Sequence, residues 1–173
     1  KKDAGRVIAG VNNDITIPFF NDVFTIQDPT ILTRGGAKGL ALYDEIERDT
    51  FAFSVLQKRK TTLVERTWQV QAGGTDQRDE EAADFVRQQF KRLPFDRICE
   101  GFMDATLKGF SVAEVIWARP GNQIIPERIV HHEQRRFTFD KDWRPRLLTR
   151  EQMLKGIELP DRKFIVHRFG VRG

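Results

Sequence analysis

Cysteine is almost missing from this chain: one residue, Cys99, in 173. A single thiol cannot close an intramolecular disulfide or build a Cys-based metal cluster, so the expected compartment is reducing cytoplasm or its equivalent. Long apolar runs are missing as well. Phe110 to Ala118 is interrupted by Glu114, and no run approaches the ~20 residues that span a bilayer. The first thirty residues hold no secretory h-region. Two fingerprints are absent too: neither G-x-x-x-x-G-K-[ST] nor G-x-G-x-x-G occurs, which excludes the common nucleotide-binding loops. Charge of one sign does not dominate, with 29 Lys+Arg against 25 Asp+Glu and a net charge of +4.

What is present is globular. The 39% hydrophobic fraction and 13 glycines are ordinary for a folded domain, and the 31% charge is only modestly above the usual ~25%. Disorder throughout is excluded, and the length suits one domain or one and a half. Basicity is concentrated late: residues 119–173 carry 13 basic and 7 acidic groups, an excess able to attract phosphate. Asp140, Asp142 and Asp161 are interleaved with it, so a mixed polar surface is the first reading. The chain opens on Lys1 and stops at Gly173, three residues beyond a strand pattern, and both ends are expected to be trimmed.

Residues 1–39 read as an extended arm. Val7, Ile15, Ile17, Phe19, Phe20, Phe24 and Ile26 lie among Gly, Asn and Asp without a 3.6-residue period. Arg34-Gly35-Gly36-Ala37-Lys38-Gly39 then suits a hinge. A helix is expected over 40–48, and a second, capped by Asp49 or Thr50, to about Val64. The second helix is read as amphipathic, with Ala52, Val55, Leu56 and Leu63 inward and Lys58, Arg59 and Lys60 outward. Residues 66–72 alternate as a strand with Trp68 and Val70 facing in. Acidic residues from Asp76 to Glu81, and Arg87, Lys91 and Arg92 later, bracket the clearest helix. Pro94 stops it, Asp96 is expected to cap the next helix, and Gly109 to end that one in the left-handed region. Phe110 to Ala118 is read as a central strand. Short strands follow at 123–132, 136–140, 144–149 and 163–169, with a hairpin connection at Asp140-Lys141-Asp142. The expected architecture is α+β: an arm over 1–39, then one domain over 40–173.

Chemistry-bearing clusters are few. Lys38 among glycines lacks the context of a phosphate loop. His131-His132-Glu133 groups possible metal ligands, but adjacent residues on a strand point to opposite faces. Cys99 falls on an apolar helical face beside Ile98 and Phe102, where a free thiol acts as a small hydrophobe. Acidic pairs early in a helix are accounted for by its dipole. Lys58, Arg59, Lys60, Arg135, Arg136, Arg144 and Arg146 are candidates for subunit or DNA-surface contact. Phe137, Phe139 or Trp143 are available for stacking, so a stand-alone nucleic-acid-binding module is the rival reading. Phe19, Phe20 and Phe24 are candidates to pack on a neighbouring subunit, their own chain having little to bury them.

One resemblance goes further than periodicity. Asp28-Pro29-Thr30, Arg34-Gly35-Gly36, Leu42-Tyr43-Asp44 and the run from Phe53 to Lys60 resemble the opening of the phage Mu-type portal proteins. Trp68-Gln69-Val70, Ala83 to Val86, Leu107 to Ser111, Glu114 to Trp117, Arg136 to Asp140 and Lys163 to Arg168 resemble that family's later blocks, in the same order. The resemblance implies a non-enzymatic structural subunit of a ring, typically of twelve copies, at one capsid vertex of the virion, assembled in the host cytoplasm. Double-stranded DNA is packaged and ejected through such a ring. Its implied partners are a terminase large subunit, the major capsid protein and a head–tail adaptor, with no catalytic residue and no cofactor. Portals of this type are considerably longer. The chain is therefore expected to be the N-terminal, wing-like α+β portion, several helices packed on short, mostly antiparallel strands, without the stem, clip and crown.

Overall fold

A computed structural model describes residues 8–9, 40–140, 142–153 and 155–170. The arm, with Phe19, Phe20 and Phe24, therefore lies outside the described residues apart from Ile8 and Ala9. Helices α1 (Ala41–Glu47), α2 (Thr50–Val64), α3 (Gln77–Arg92), α4 (Phe95–Phe102) and α5 (Ala105–Lys108) come first. Among the described residues six strands follow: β1 (Phe110–Ala118), β2 (Ile125–His132), β3 (Phe137–Phe139), β4 (Pro145–Leu147), β5 (Ile157–Glu158) and β6 (Phe164–Arg168), with a 3-10 turn at Gln134–Arg136. They form two antiparallel sheets, ordered β2-β1-β6 and β3-β4-β5. The chain is α+β, as expected.

β1 is the centre. Seven residues from Val112 to Ala118 pair with β2 and five from Phe110 to Glu114 pair with β6, so both ladders are satisfied and residues 111–116 are all buried. Burial on both faces explains the nearly unbroken apolar run. Ser111, Ala113 and Val115 face the helices, where Ser111 Oγ donates to Phe102 O at 3.0 Å. Val112 faces the second sheet and packs with Ala9, Phe137 and Leu147 in the main core cluster. The sheet thus separates a helical layer from a second β layer.

Helix boundaries follow local chemistry. Asp49 caps α2, its Oδ1 accepting from Phe51 and Ala52 N–H at 3.1 and 2.8 Å, a bond type contributing ~1 kcal/mol. Gly109 closes α5 at φ 84°, a conformation that costs a residue with a Cβ extra energy. Asp96 is not a cap: α4 starts one residue before it, behind Pro94, and Asp96 lies in the first turn.

Two other expectations change. Residues 66–72 form no strand. Trp68 instead stacks edge-on against Phe90 (5.3 Å) and Phe95 (4.6 Å), and the Arg87 guanidinium donates twice to Val70 O, at 3.0 and 2.8 Å. An arginine fork takes the place of a ladder partner there. Helix α2 has no buried residue. It rests on α1 and α4 as the outermost helix, and its basic run does not share one outward face. Lys60 turns inward to pair with Asp104, leaving its side chain 12% exposed.

Candidate functional site

A connected polar cluster among the described residues is built around Glu114. Its side chain is fully buried on the face of β1 that looks toward the second sheet. Oε1 accepts from Ile8 N–H at 2.7 Å and Oε2 from Ala9 N–H at 3.2 Å, so one carboxylate holds two consecutive amides from more than a hundred residues upstream. His132 stands opposite Val112 in the ladder, and its Nε2 lies 3.1 Å from Oε2. Arg136 Nη1 donates to Ala9 O at 2.9 Å and faces His132 Nδ1 at 3.3 Å. A guanidinium only donates. His132 Nδ1 is therefore the acceptor, and Nε2–H donates to Glu114. Lys163 Nζ, nearly buried, sits 3.8 Å from Oε1.

This arrangement grips main chain. The amides of Ile8 and Ala9 and the carbonyl of Ala9 are each engaged, and Ala9 is buried in the core. A small side chain fits there, and the polar groups bind the backbone whatever its side chains. Burial by itself would push the Glu114 carboxyl up, but the bonds from His132, Ile8 and Ala9 outweigh it and hold the carboxyl below its ordinary value.

On the other face of β2, His131 meets the helices. Its Nε2 lies 3.1 Å from Ile98 O, its ring packs edge-on against Phe102 at 4.7 Å, and burial lowers its pKa. Gly101 allows this approach, since a Cβ there would come within 2.5 Å of the ring. Acid should therefore destabilise the fold in two stages. His131 is depressed, so stability begins to fall as pH drops below the ordinary imidazole value of 6.5. Glu114 is depressed, so its contribution is complete above the ordinary carboxyl value of 4.5 and is lost as pH falls through its folded-state value. Thermal unfolding between pH 8 and 3 should show a shallow decline and then a steeper one. His131→Gln should remove the first stage only.

The two adjacent histidines thus point to opposite faces, and Glu133 lies exposed beside Arg135 at 3.3 Å. Among the described residues no group of three or more His, Cys, Asp or Glu is placed to hold a metal ion. Cys99 is half-buried, and burial followed by Asp96 raises its pKa, which keeps the thiol protonated.

The basic residues singled out in the sequence do not converge. Lys58 and Arg59 are exposed on α2. Arg135 is partly exposed and approaches Glu133 and, at 3.8 Å, Asp44. Arg136 is 2% exposed and belongs to the interior network. Arg144 is exposed on the β3–β4 connection, where its N–H donates to Asp140 Oδ1. Arg146 is committed to Glu158 at 3.3 Å and to the carbonyls of Lys155 and Gly156. Of the proposed stacking residues, Phe137 is buried, Phe139 packs on Phe110 at 5.0 Å, and Trp143 is 60% exposed. The sequence marked Glu114 as a break in an apolar run and as part of a family-like block, and assigned it no partner. A lone carboxylate centred in a strand buried on both faces was the available signal, since such a charge needs buried partners.

A second feature is a groove of about 550 Å³ along α2. Val55, Leu63, Met103 and Phe169 supply apolar surface, and Lys58, Arg59 and Arg66 stand around it. No described helix is long and apolar enough to cross a membrane.

Residues 40–173 match the family model described as the portal protein of Mu bacteriophage. The portal protein of Escherichia phage Mu is 27% identical over 128 residues, which cover 73% of this chain and 25% of that relative. The chain thus spans about a quarter of the length of the curated relative it matches. The match takes in every described helix and strand, and the chain belongs to the Mu-type portal protein family.

Proposed function

We propose that this chain is a structural, wing-like part of a phage portal subunit, with residues 1–39 as an arm and 40–173 as the α+β domain. The family match along the whole folded domain carries this reading. Such subunits associate head to tail into a closed ring, expected to be of twelve copies, at a capsid vertex of the virion after assembly in the host cytoplasm. The ring would be the conduit for double-stranded DNA during packaging and ejection. It would meet a terminase large subunit, the major capsid protein and a head–tail adaptor. The exposed Phe51, Phe53, Val55 and Leu63 supply apolar surface of the kind that marks contact sites. The rival nucleic-acid-binding module has less support, because its basic residues are dispersed, Arg136 is interior and Arg146 is engaged.

Particle mass in solution, with negative-stain imaging, tests the reading on this chain and on one extended past Gly173. The expected result is a ring with a central hole from the extended chain. Monomers of both chains that bind DNA with a steep salt dependence would replace the portal reading with the binding module. Phe19, Phe20 and Phe24 are proposed to pack on a neighbouring subunit. Changing all three to Ala, which leaves Ile8 and Ala9 in place, should then reduce ring assembly without lowering the melting temperature of the isolated subunit.

A further inference from the structure

The groove along α2 combines two features rarely left to solvent together. Its surface is apolar, with Val55 47%, Leu63 46% and Phe169 45% exposed, and Phe51 stands alongside at 78%. Its cations, Lys58, Arg59 and Arg66, make no ion pair among the described residues. A phosphate backbone would match the cations and waste the apolar surface. A chain segment that is both acidic and apolar would match both.

The sequence contains such a segment. Residues 12–33 carry Asp14, Asp22 and Asp28 and neither Lys nor Arg, and among them stand Ile15, Ile17, Phe19, Phe20, Val23, Phe24 and Ile26. Three negative charges on an apolar stretch complement three positive charges around an apolar groove. Upstream of this segment, Ile8 and Ala9 are held by Glu114 on the face of the sheet away from the helices. The groove belongs to the helical layer, on the far side of that sheet, and no described residue covers it. We propose that the groove along α2 receives residues 14–28 of a second copy of this chain, its cations pairing with the three aspartates and its apolar surface taking the phenylalanines. This rests on the ring reading and deepens it by naming the two surfaces that meet. An arm given by each subunit to the next makes a heterologous contact, which closes into a ring when the rotation permits.

A photoreactive benzophenone amino acid in place of Phe20, in the full 173-residue chain mixed with nitrogen-15-labelled wild-type chain, tests it. Adducts are mapped by mass spectrometry beside a measurement of particle mass. The expected result is a light–heavy adduct joining position 20 to residues 50–66, 103–106 or 169. Its yield should fall about tenfold, or 1.4 kcal/mol, when Lys58, Arg59 and Arg66 are all changed to Glu, and recover when Asp14, Asp22 and Asp28 of the partner copy are changed to Lys. Thermal unfolding of the charge variants, all at exposed positions on the receiving side, confirms that they fold. Light–heavy adducts elsewhere, or a yield unmoved by the charge reversals, overturn the groove assignment and leave the ring reading standing. Adducts confined within single chains overturn the second-copy assignment. A 173-residue chain that stays monomeric, with no adduct at the groove, overturns the second-copy assignment, while the ring reading is decided separately by the extended chain.

Discussion

Glu114→Ala is expected to be among the most damaging single substitutions in this chain, lowering stability by about 3–5 kcal/mol. The carboxylate accepts from Ile8 N–H, Ala9 N–H and His132 Nε2–H and lies beside Lys163. Removing it leaves buried donors without this acceptor and takes a negative charge away from the buried Lys163, and each lost interaction carries its own desolvation cost. For a chain of this size the melting temperature should drop by about 2–4 °C per kcal/mol. Amide hydrogen exchange separates a local role from general fragility. The amides of Ile8 and Ala9 should lose more protection than those of β1, because their acceptor is gone while the β1 ladders with β2 and β6 remain. Equal loss at all these amides would show that Glu114 supports the core without specifically holding the N-terminal segment. Glu114→Gln, which keeps the volume and one acceptor oxygen, should fall between the variant and the parent.

Leu147→Ala should cost about 2–5 kcal/mol, the usual range for a buried leucine whose site cannot collapse. Leu147 is fully buried, lies opposite Phe137 in β3 and Ile157 in β5, and packs in the cluster with Val112 and Ala9. The site has little freedom to close up. The ladders on both sides of Leu147, to Phe137 and to Ile157, hold its backbone in place. Denaturant unfolding should show a lower midpoint with an unchanged slope. A cost under about 1 kcal/mol would mean that the second sheet relaxes around the cavity and is a loosely attached layer.

Both predictions concern contacts between the second β layer, the central strand and the N-terminal segment, and those were the least legible in the sequence. Short-range signals worked well. Acidic and basic residues at opposite ends of Gln77–Arg92, Asp49 ahead of α2, Gly109 after α5 and the run from Phe110 to Ala118 each belong to interactions within a few residues. Residues 66–72 failed for the complementary reason. Their alternation is compatible with a strand, but a strand needs a neighbour with free ladder groups, and the Val70 carbonyl meets Arg87 instead. The β5 pairing of Ile157 and Glu158 was too short to give a period.

The basic residues show the same division at the level of the site. Their abundance and clustering were visible in the sequence, but their availability was not. Lys58 and Lys60 are two positions apart on one helix, yet Lys60 finds Asp104 and Lys58 remains at the groove. Arg135 and Arg136 are adjacent, yet one is partly exposed and the other is buried against Ala9 and His132. Charge type is a property of the residue, whereas exposure depends on which distant segment folds over it.

By itself, then, the sequence determined the α+β class, the helices with local caps, the central strand, the resemblance to Mu-type portals and the opposed directions of His131 and His132. These rest on periods of two and 3.6 residues, on turn chemistry, and on motif order, all readable along the chain. Tertiary structure alone decided that Glu114 holds the Ile8 and Ala9 amides, that Arg136 is interior, and that α2 carries an exposed apolar face beside Lys58, Arg59 and Arg66, which make no ion pair among the described residues. The physical reason is separation: Glu114 meets its partners at sequence distances of 106, 105 and 18 residues, and the folded topology is what brings such groups within hydrogen-bonding reach.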